Sequence, residues 1–284
     1  MKNRLVITIA ATSGLLISSA SFGTDVELRS WKVLPYSQLF FQDEAVGWVA
    51  GRVGIARTVD GGHSWEALNR TLPVSLMDAK GGDPVKSGNP VKSVYVAPLI
   101  SSASFVDGDT AWVIARWHNI LHTSDGGQTW TDLTPDGLSL RRFSTGESIP
   151  YLYYLQFVDS DHGWLMVHWD SVGGVEDTRK GNTRKRELFR TQDGGAHWES
   201  VADLRKWDEQ LLSFQFVDQE RGWALRSGSD SVVKTADGGL TWSVVTGLRE
   251  MSEEQHFHPP RSSFTDAEIA FDTDGDGWVL GNSG

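Results

Sequence analysis

The sequence predicts an all-β fold, a β-propeller of four-stranded blades. A Thr-x-Asp-Gly-Gly-x-x-Trp box occurs four times, and each box follows a Phe that is succeeded six residues later by Gly or Ala and then Trp. The shortest distance between boxes, 44 residues from Trp198 to Trp242, suits one four-stranded blade. The 13 Trp and 30 Gly among 284 residues fit many turns and flat side chains between sheets.

The repeated box predicts a tight hairpin, and therefore a structural role. Its Asp side chain can accept backbone amides ahead of it, and its two glycines tolerate positive φ. Its Trp begins the outgoing strand and covers the turn. The four boxes carry Asp60 and Trp65, Asp125 and Trp130, Asp193 and Trp198, and Asp237 and Trp242.

Each repeat reads as four strands. The first ends at the Phe, as in the alternating run 212–216, and the second starts at Gly-Trp. The third runs into the box and the fourth leaves it. A fifth repeat stops after Gly277-Trp278, while the segment 30–34 looks like a fourth strand without a box. We therefore expect about four and a half blades of a truncated six- or seven-bladed ring, within a propeller domain spanning 24–284.

The N-terminus has the order of a secretory signal peptide. Lys2 and Arg4 precede an apolar run over 5–17, and small residues follow as far as Gly23. We expect a signal peptide over 1–23 and an exported, periplasmic or secreted protein, with an uncleaved anchor as the alternative. We expect no transmembrane span in the mature chain.

Composition and charge exclude several classes of function. The chain has no Cys, so thiolate metal sites and Cys nucleophiles are absent. Its formal net charge is −11, and removal of 1–23, with two basic and no acidic residues, leaves 24 basic against 37 acidic residues, or −13. Such a chain is a poor partner for nucleic acid. The run 272–277 resembles the start of a calcium loop, but Ser283 replaces the expected Glu. We expect neither metal nor cofactor.

The strand order predicts two different edges. In a meander, the Phe…Gly-Trp turns and the boxes share one edge, and the long connections fall on the other. One long connection is the insertion Trp169–Glu187 of the third repeat, and the others are the blade links 69–92, 134–150 and 247–263. Insertions in repeat proteins mark the binding face, so we expect a partner to bind there.

The repeats are Asp boxes, also called BNR repeats, and they resemble a known family. The pairing of FVDxxxGW with TxDGGxTW over Phe105–Trp130 and Phe216–Trp242 is similar to the photosystem II assembly and stability factors. The resemblance covers 31–281 and implies a seven-bladed propeller that assists assembly of a membrane complex. His197 departs from the usual Thr or Ser, at a position that only packs the turn.

The resemblance also implies an arginine-rich patch on one face. Basic residues cluster in and beside the insertion, and a second group lies in a later blade link. The candidate binding residues are Arg179, Lys180, Arg184, Lys185, Arg186 and Arg190, extended by Arg205, Lys206 and Trp207. They form either a solvated loop or an electrostatic docking patch for an acidic or membrane-embedded partner.

An enzyme is the alternative interpretation, because sialidases and other glycoside hydrolases also carry Asp boxes. Their boxes lie away from the catalytic centre, and the Phe-Arg-Ile-Pro segment of sialidases is absent here. A catalytic carboxylate pair stays open, since sequence does not set the separation of two carboxyls. The preferred prediction is a monomeric, non-enzymatic propeller that binds a protein partner, with no catalytic residues.

Overall fold

The computed structural model describes eleven stretches of the chain. These are residues 5–8, 38–52, 54–69, 71–73, 99–116, 118–138, 148–171, 185–203, 211–226, 231–247 and 268–280. The chain divides into two compact units, Met1–Leu133 and Thr134–Gly284. None of these stretches contains a helix long and apolar enough to cross a bilayer.

The N-terminal unit holds two antiparallel sheets whose strands follow one another in chain order. The first sheet consists of β1 (Leu5–Thr8), β2 (Gln38–Phe41), β3 (Gly47–Gly51), β4 (Gly54–Thr58) and β5 (Glu66–Ala67). The second consists of β6 (Ile100–Phe105), β7 (Ala111–Ala115), β8 (Asn119–Thr123) and β9 (Thr131–Asp132). Each sheet is a meander that closes on an Asp box between its last two strands.

The C-terminal unit begins with a 3-10 helix, Asp136–Leu138, and continues as two four-stranded sheets and a two-stranded sheet. The third sheet consists of β10 (Ser148–Phe157), β11 (Gly163–Ser171), β12 (Lys185–Thr191) and β13 (Glu199–Asp203). The fourth consists of β14 (Leu211–Phe216), β15 (Gly222–Arg226), β16 (Ser231–Thr235) and β17 (Ser243–Gly247). The fifth consists of β18 (Glu268–Phe271) and β19 (Gly277–Leu280). The all-β class and the four-stranded propeller blades are thus confirmed.

The N-terminal strand lies within the predicted signal peptide. β1 pairs antiparallel with β2, with Leu5 opposite Phe41 and Thr8 opposite Gln38. This pairing does not test export, and the signal peptide over 1–23 stays a prediction. The expected strand over 30–34 lies outside the described residues.

Aromatic side chains join successive sheets within each unit. The Trp of one Gly-Trp pair stacks on the Phe that ends the first strand of the next sheet. The ring centroids are 5.5 Å apart for Trp48–Phe105, 3.6 Å for Trp164–Phe216 and 4.7 Å for Trp223–Phe271. Trp48 and Trp164 are fully buried. The core of each unit therefore lies between its sheets.

The Gly before each Trp makes room for the Phe of its own blade. A Cβ built on Gly163 would lie 2.6 Å from the Phe157 ring, inside contact distance. The second blade carries Ala111 instead, and its Phe105 ring lies 5.9 Å from that of Phe40 and 5.5 Å from that of Trp48.

Candidate partner-binding edge

The Asp box is a closed hydrogen-bond unit. In the first box, the Thr58 hydroxyl donates to Asp60 Oδ1 at 2.8 Å and accepts the Gly62 amide at 2.9 Å. Asp60 also accepts the amide and the hydroxyl of Ser64, at 2.9 and 2.6 Å. The boxes at Asp125, Asp193 and Asp237 repeat these bonds, with His197 Nδ1 replacing the hydroxyl in the third. The box carboxylates are therefore committed to their own turns.

These hydrogen bonds also set the acidity of the box. The side-chain and backbone donors of Ser64 lower the pKa of Asp60 to about 2, and those of Thr129 do the same for Asp125. Donors from His197 lower the pKa of Asp193. For Asp237, burial raises the pKa, but the donors of Thr241 outweigh it and the net shift is downward. The box aspartates are thus ionised acceptors at neutral pH.

A second aspartate in each full repeat holds the Phe…Gly-Trp turn. Asp43 Oδ1 accepts the amides of Ala45 and Val46 at 2.9 and 2.8 Å. Asp107, Asp159 and Asp218 accept the corresponding pairs of amides. The sequence prediction missed these residues, although the repeated Phe-Val-Asp in three repeats was their signal.

The two kinds of turn meet at one edge, as the strand order predicts. The amide of Gly61 in the first box donates to the Ala45 carbonyl of the neighbouring turn at 2.8 Å. The equivalent bonds from Gly126, Gly194 and Gly238 measure 2.8–3.0 Å. We call this side the box edge, and the side that holds the turns between second and third strands the open edge.

A basic residue before each box Thr faces the Trp on the neighbouring strand. Arg57 lies over the Trp48 ring, 5.7 Å from its centroid, and donates from Nε to the Gly108 carbonyl at 2.7 Å. Its Nη2 binds Asp109 in the next blade at 2.9 Å. In the second blade, His122 stacks on Trp112 at 4.6 Å, and burial lowers its pKa. Arg57 therefore joins two blades, and neither Arg57 nor His122 was predicted.

Arg190 takes the equivalent position in the third blade, although the sequence grouped it with the basic insertion. It binds Glu199 at 2.6 Å, and its guanidinium lies against Gly238 of the next box. Lys185 begins the same strand, five residues away, or about 17 Å along an extended chain. The two residues therefore lie at opposite ends of β12, and Arg190 belongs to the box edge.

The insertion of the third blade is shorter than the predicted range Trp169–Glu187. Its strands extend further, because Trp169 pairs with Lys185 and its Nε1 donates to the buried Glu187 at 2.8 Å. The connection is thus 172–184. Arg186 lies on β12 opposite His168 and is half-buried. Five predicted residues and Trp207 lie outside the described stretches, namely Arg179, Lys180, Arg184, Arg205, Lys206 and Trp207.

The open edge of the N-terminal unit carries two arginines at one position of the repeat. Arg52 and Arg116 both stand four residues after the Trp of the second strand, and Arg52 is exposed. Arg116 has φ 54°, and its amide donates at 2.9 Å to Leu99, which has φ 50°. Its Nε and Nη2 are buried and have no hydrogen-bond partner among the described residues. The repeated spacing Trp-x-x-x-Arg could have indicated these two arginines in the sequence.

The described residues contain no candidate metal site. Within the described stretches, no group of three His, Asp or Glu side chains is arranged to hold a metal ion. The carboxylate of Asp272, in the calcium-like run, accepts the amides of Asp274 and Asp276 at 2.9 and 3.0 Å. It therefore serves the fifth Phe…Gly-Trp turn in the way that Asp43 serves the first.

No family model matches the chain, and no curated protein matches it. Among solved structures, it is similar to YCF48 bound to D1 peptide, with 18% identity, a TM-score of 0.47, and coverage of 87% of this chain and 61% of that one. It is also similar to the GH74 xyloglucanase from Xanthomonas campestris, with 13% identity, a TM-score of 0.42, and coverage of 71% and 28%. YCF48 from Cyanidioschyzon merolae gives 16% identity, a TM-score of 0.28, and coverage of 87% and 92%.

The chain thus spans 61% of the length of the peptide-bound YCF48 and 28% of that of the xyloglucanase. The solved structures with this likeness thus include YCF48 and GH74 enzymes. This likeness of fold leaves the choice between binding protein and enzyme to the chain's own residues.

Proposed function

We propose that the protein is a non-enzymatic propeller that binds a protein partner at its open edge. The contrast between the two edges carries this proposal. At the box edge, the repeated polar side chains bond to their own turns and to the next blade. In the C-terminal unit the open edge carries the long insertion, and in the N-terminal unit it carries Arg52 and Arg116, which follow the second strands. Surfaces that vary within a repeat are those that repeat proteins use for recognition.

The charge of the open edge indicates the kind of partner. The chain as a whole carries a formal net charge of −11, so the basic residues of the insertion stand out against an acidic body. Lys185 and Arg186 begin β12 at that edge. An acidic face of a protein would be attracted there, mainly through a faster encounter and a fixed orientation. We propose an assembly role for such a partner in an envelope complex.

The described carboxylates whose pKa is shifted differ from the protonated acid that a glycosidase requires. A glycosidase needs a carboxylic acid whose pKa is raised, so that it holds a proton for the leaving group. The resolved shifts among the described carboxyls all run downward, at Asp60, Asp125, Asp159, Asp193, Asp218 and Asp237. Such groups are acceptors rather than proton donors at neutral pH.

A crosslinking experiment tests the location of the partner. A photoreactive residue replaces Lys185 at the open edge or the exposed Leu240 at the box edge of the same unit, in the full chain expressed in its native host. We expect a crosslinked protein from Lys185 and none from Leu240. Equal crosslinking from both positions would contradict the proposal.

Two further variants sharpen this test. Residues 172–184 are replaced by Gly-Gly, which joins β11 and β12 through a short hairpin loop. Arg184 and Arg186 are also reversed to Glu in the intact chain. Both variants should lose the crosslinked partner and keep the thermal unfolding of the wild type. Release of sugar from sialosides, xyloglucan or β-glucans by the purified chain would establish the enzymatic alternative instead.

Export is a separate proposal, based on the sequence of 1–23 alone. We propose a periplasmic or secreted, monomeric mature chain. N-terminal sequencing of the protein from the periplasmic fraction should begin after Ala20 or Gly23. A full-length N-terminus in that fraction would point to an anchor.

A further inference from the structure

We propose that Arg116 forms a carboxylate-binding site at the open edge of the N-terminal unit. The proposal rests on the proposed function for the source of the ligand, because the carboxylate would come from the docked partner. The site itself is argued from the geometry of one side chain and the backbone that holds it. Its test with a free carboxylate does not need the partner.

The unpaired atoms of Arg116 form one side of its guanidinium. The Nε–H bond and one Nη2–H bond run parallel in the plane of the guanidinium, and together they can donate two hydrogen bonds to one carboxylate. Both atoms are buried, and no described residue supplies an acceptor. The residue as a whole is only partly buried, so part of the side chain meets solvent. The fork therefore has the shape and the charge for a carboxylate.

Three arginines of the box edge show what Arg116 lacks. Arg57 binds Asp109, Arg190 binds Glu199 and Arg221 binds Asp218, at 2.6–2.9 Å. In each case the chain provides the carboxylate. Because a buried cationic donor without an acceptor is destabilising, and no described residue supplies one, we infer that a bound ligand provides the acceptor for Arg116.

The backbone at this site is also strained, which is a second destabilising feature beside the unpaired guanidinium. Arg116 and Leu99 are the non-glycine residues with positive φ among the described stretches, and the amide of Arg116 donates to the carbonyl of Leu99. Two strained residues joined by a hydrogen bond fix the start of the Arg116 side chain. Strain of this kind collects at ligand-binding sites, where it positions a side chain before the ligand arrives.

A carboxylate suits the site better than a dianion. One guanidinium offers a single positive charge, and the body of the chain is acidic, with a formal net charge of −11. A singly charged carboxylate neutralises that cation. A phosphate dianion would keep one negative charge, which the negative potential of the chain would repel. The carboxylate is either an Asp or Glu side chain or the C-terminus of a polypeptide.

Arg52 provides a matched control for the test. It occupies the same position after the Trp in the neighbouring blade, and it is exposed. Acetate is titrated against chloride at constant ionic strength, so that general screening stays fixed. The Nε–H resonances of the arginines are followed by NMR and assigned with Arg116→Met and Arg52→Met. We expect a saturable shift for Arg116 and a small linear one for Arg52.

Thermal unfolding gives a second readout. Acetate should raise the Tm of the wild type and of Arg52→Met, but not that of Arg116→Met, because a ligand of the folded state stabilises it. In chloride alone, Arg116→Met should unfold at the same temperature as the wild type or higher, since it removes an unpaired buried charge. A lower Tm for this variant in chloride would show a structural role and overturn the proposal. So would equal shifts at both arginines, or no saturable shift at Arg116.

Two peptides distinguish the source of the carboxylate. One has an acidic side chain and an amidated C-terminus, and the other has neutral side chains and a free C-terminus. The peptide that shifts the Arg116 Nε–H resonance identifies the group. Acetate binding at Arg116 would support the carboxylate site whatever the partner does. A partner that stays bound after replacement of 172–184 would refute only the proposed docking at the insertion.

Discussion

Trp164 offers a quantitative test of how the blades hold together. Its side chain is fully buried, its ring stacks 3.6 Å from that of Phe216, and its Nε1 donates to the Gly238 carbonyl at 2.9 Å. Trp164→Ala removes the ring and leaves a cavity, at a cost of about 3–5 kcal/mol in the free energy of unfolding. Trp164→Phe keeps an aromatic ring but leaves the carbonyl unpaired, at a cost of about 1–3 kcal/mol.

The two variants are compared by urea unfolding of the full chain, followed by circular dichroism. At roughly 2–4 °C per kcal/mol for a chain near this size, Trp164→Ala should also lower Tm by about 6–20 °C. The exposed Leu240 gives a control, because Leu240→Ala should leave both quantities unchanged. The reasoning fails if Trp164→Phe is as stable as the wild type, since the buried hydrogen bond would then contribute nothing.

Three further changes test the turns and the contacts between blades. Asp125→Asn should weaken the second box above pH 4 but have little effect near pH 2. The pKa of Asp125 is lowered to about 2, so its stabilisation is present above the unfolded value and is lost as the pH falls; parallel stability curves for mutant and wild type from pH 2 to 6 would contradict this. Gln156→Leu removes a side chain that bonds the amide and the carbonyl of Phe216, each at 2.8 Å, and should cost about 1–3 kcal/mol by urea unfolding; an unchanged midpoint would count against the bridge. Gly163→Ala places a Cβ 2.6 Å from the Phe157 ring and should cost about 1–3 kcal/mol, and a neutral result in a thermal scan would show that the ring moves freely.

Features whose interacting residues lie close together in the chain could be predicted from the sequence. A box of eight residues contains both partners of its hydrogen bonds, so Asp60 and Trp65 could be assigned from spacing alone. The shared edge also followed from strand order, and the bond from Gly61 to Ala45 confirms it. The loop of the third blade was predicted too long, because pairing between Trp169 and Lys185 is not visible in a single sequence.

The contacts between blades were missed because their partners lie far apart in sequence. Gln215 bonds the backbone of Phe271, which is 56 residues away, and Gln156 bonds Phe216 at a separation of 60. Only comparison of the two Gln-Phe pairs could have suggested this role. Arg190 was assigned to the basic insertion because it is near Lys185 in the chain, whereas the two residues lie at opposite ends of β12.

The stacking of a Trp on the Phe of the next sheet, seen three times within the units, gives each unit a direction. The Trp of one blade stacks on the Phe that ends the first strand of the next blade, as Trp48 does on Phe105 and Trp164 on Phe216. An earlier blade can therefore act as a template for the one synthesised after it, as the nascent chain emerges in the same order. Exchange of blades between related propellers should keep these pairs intact if the cut falls in the Phe…Gly-Trp turn, between the first and second strands. A cut between a Trp and the next Phe would instead replace one member of the pair.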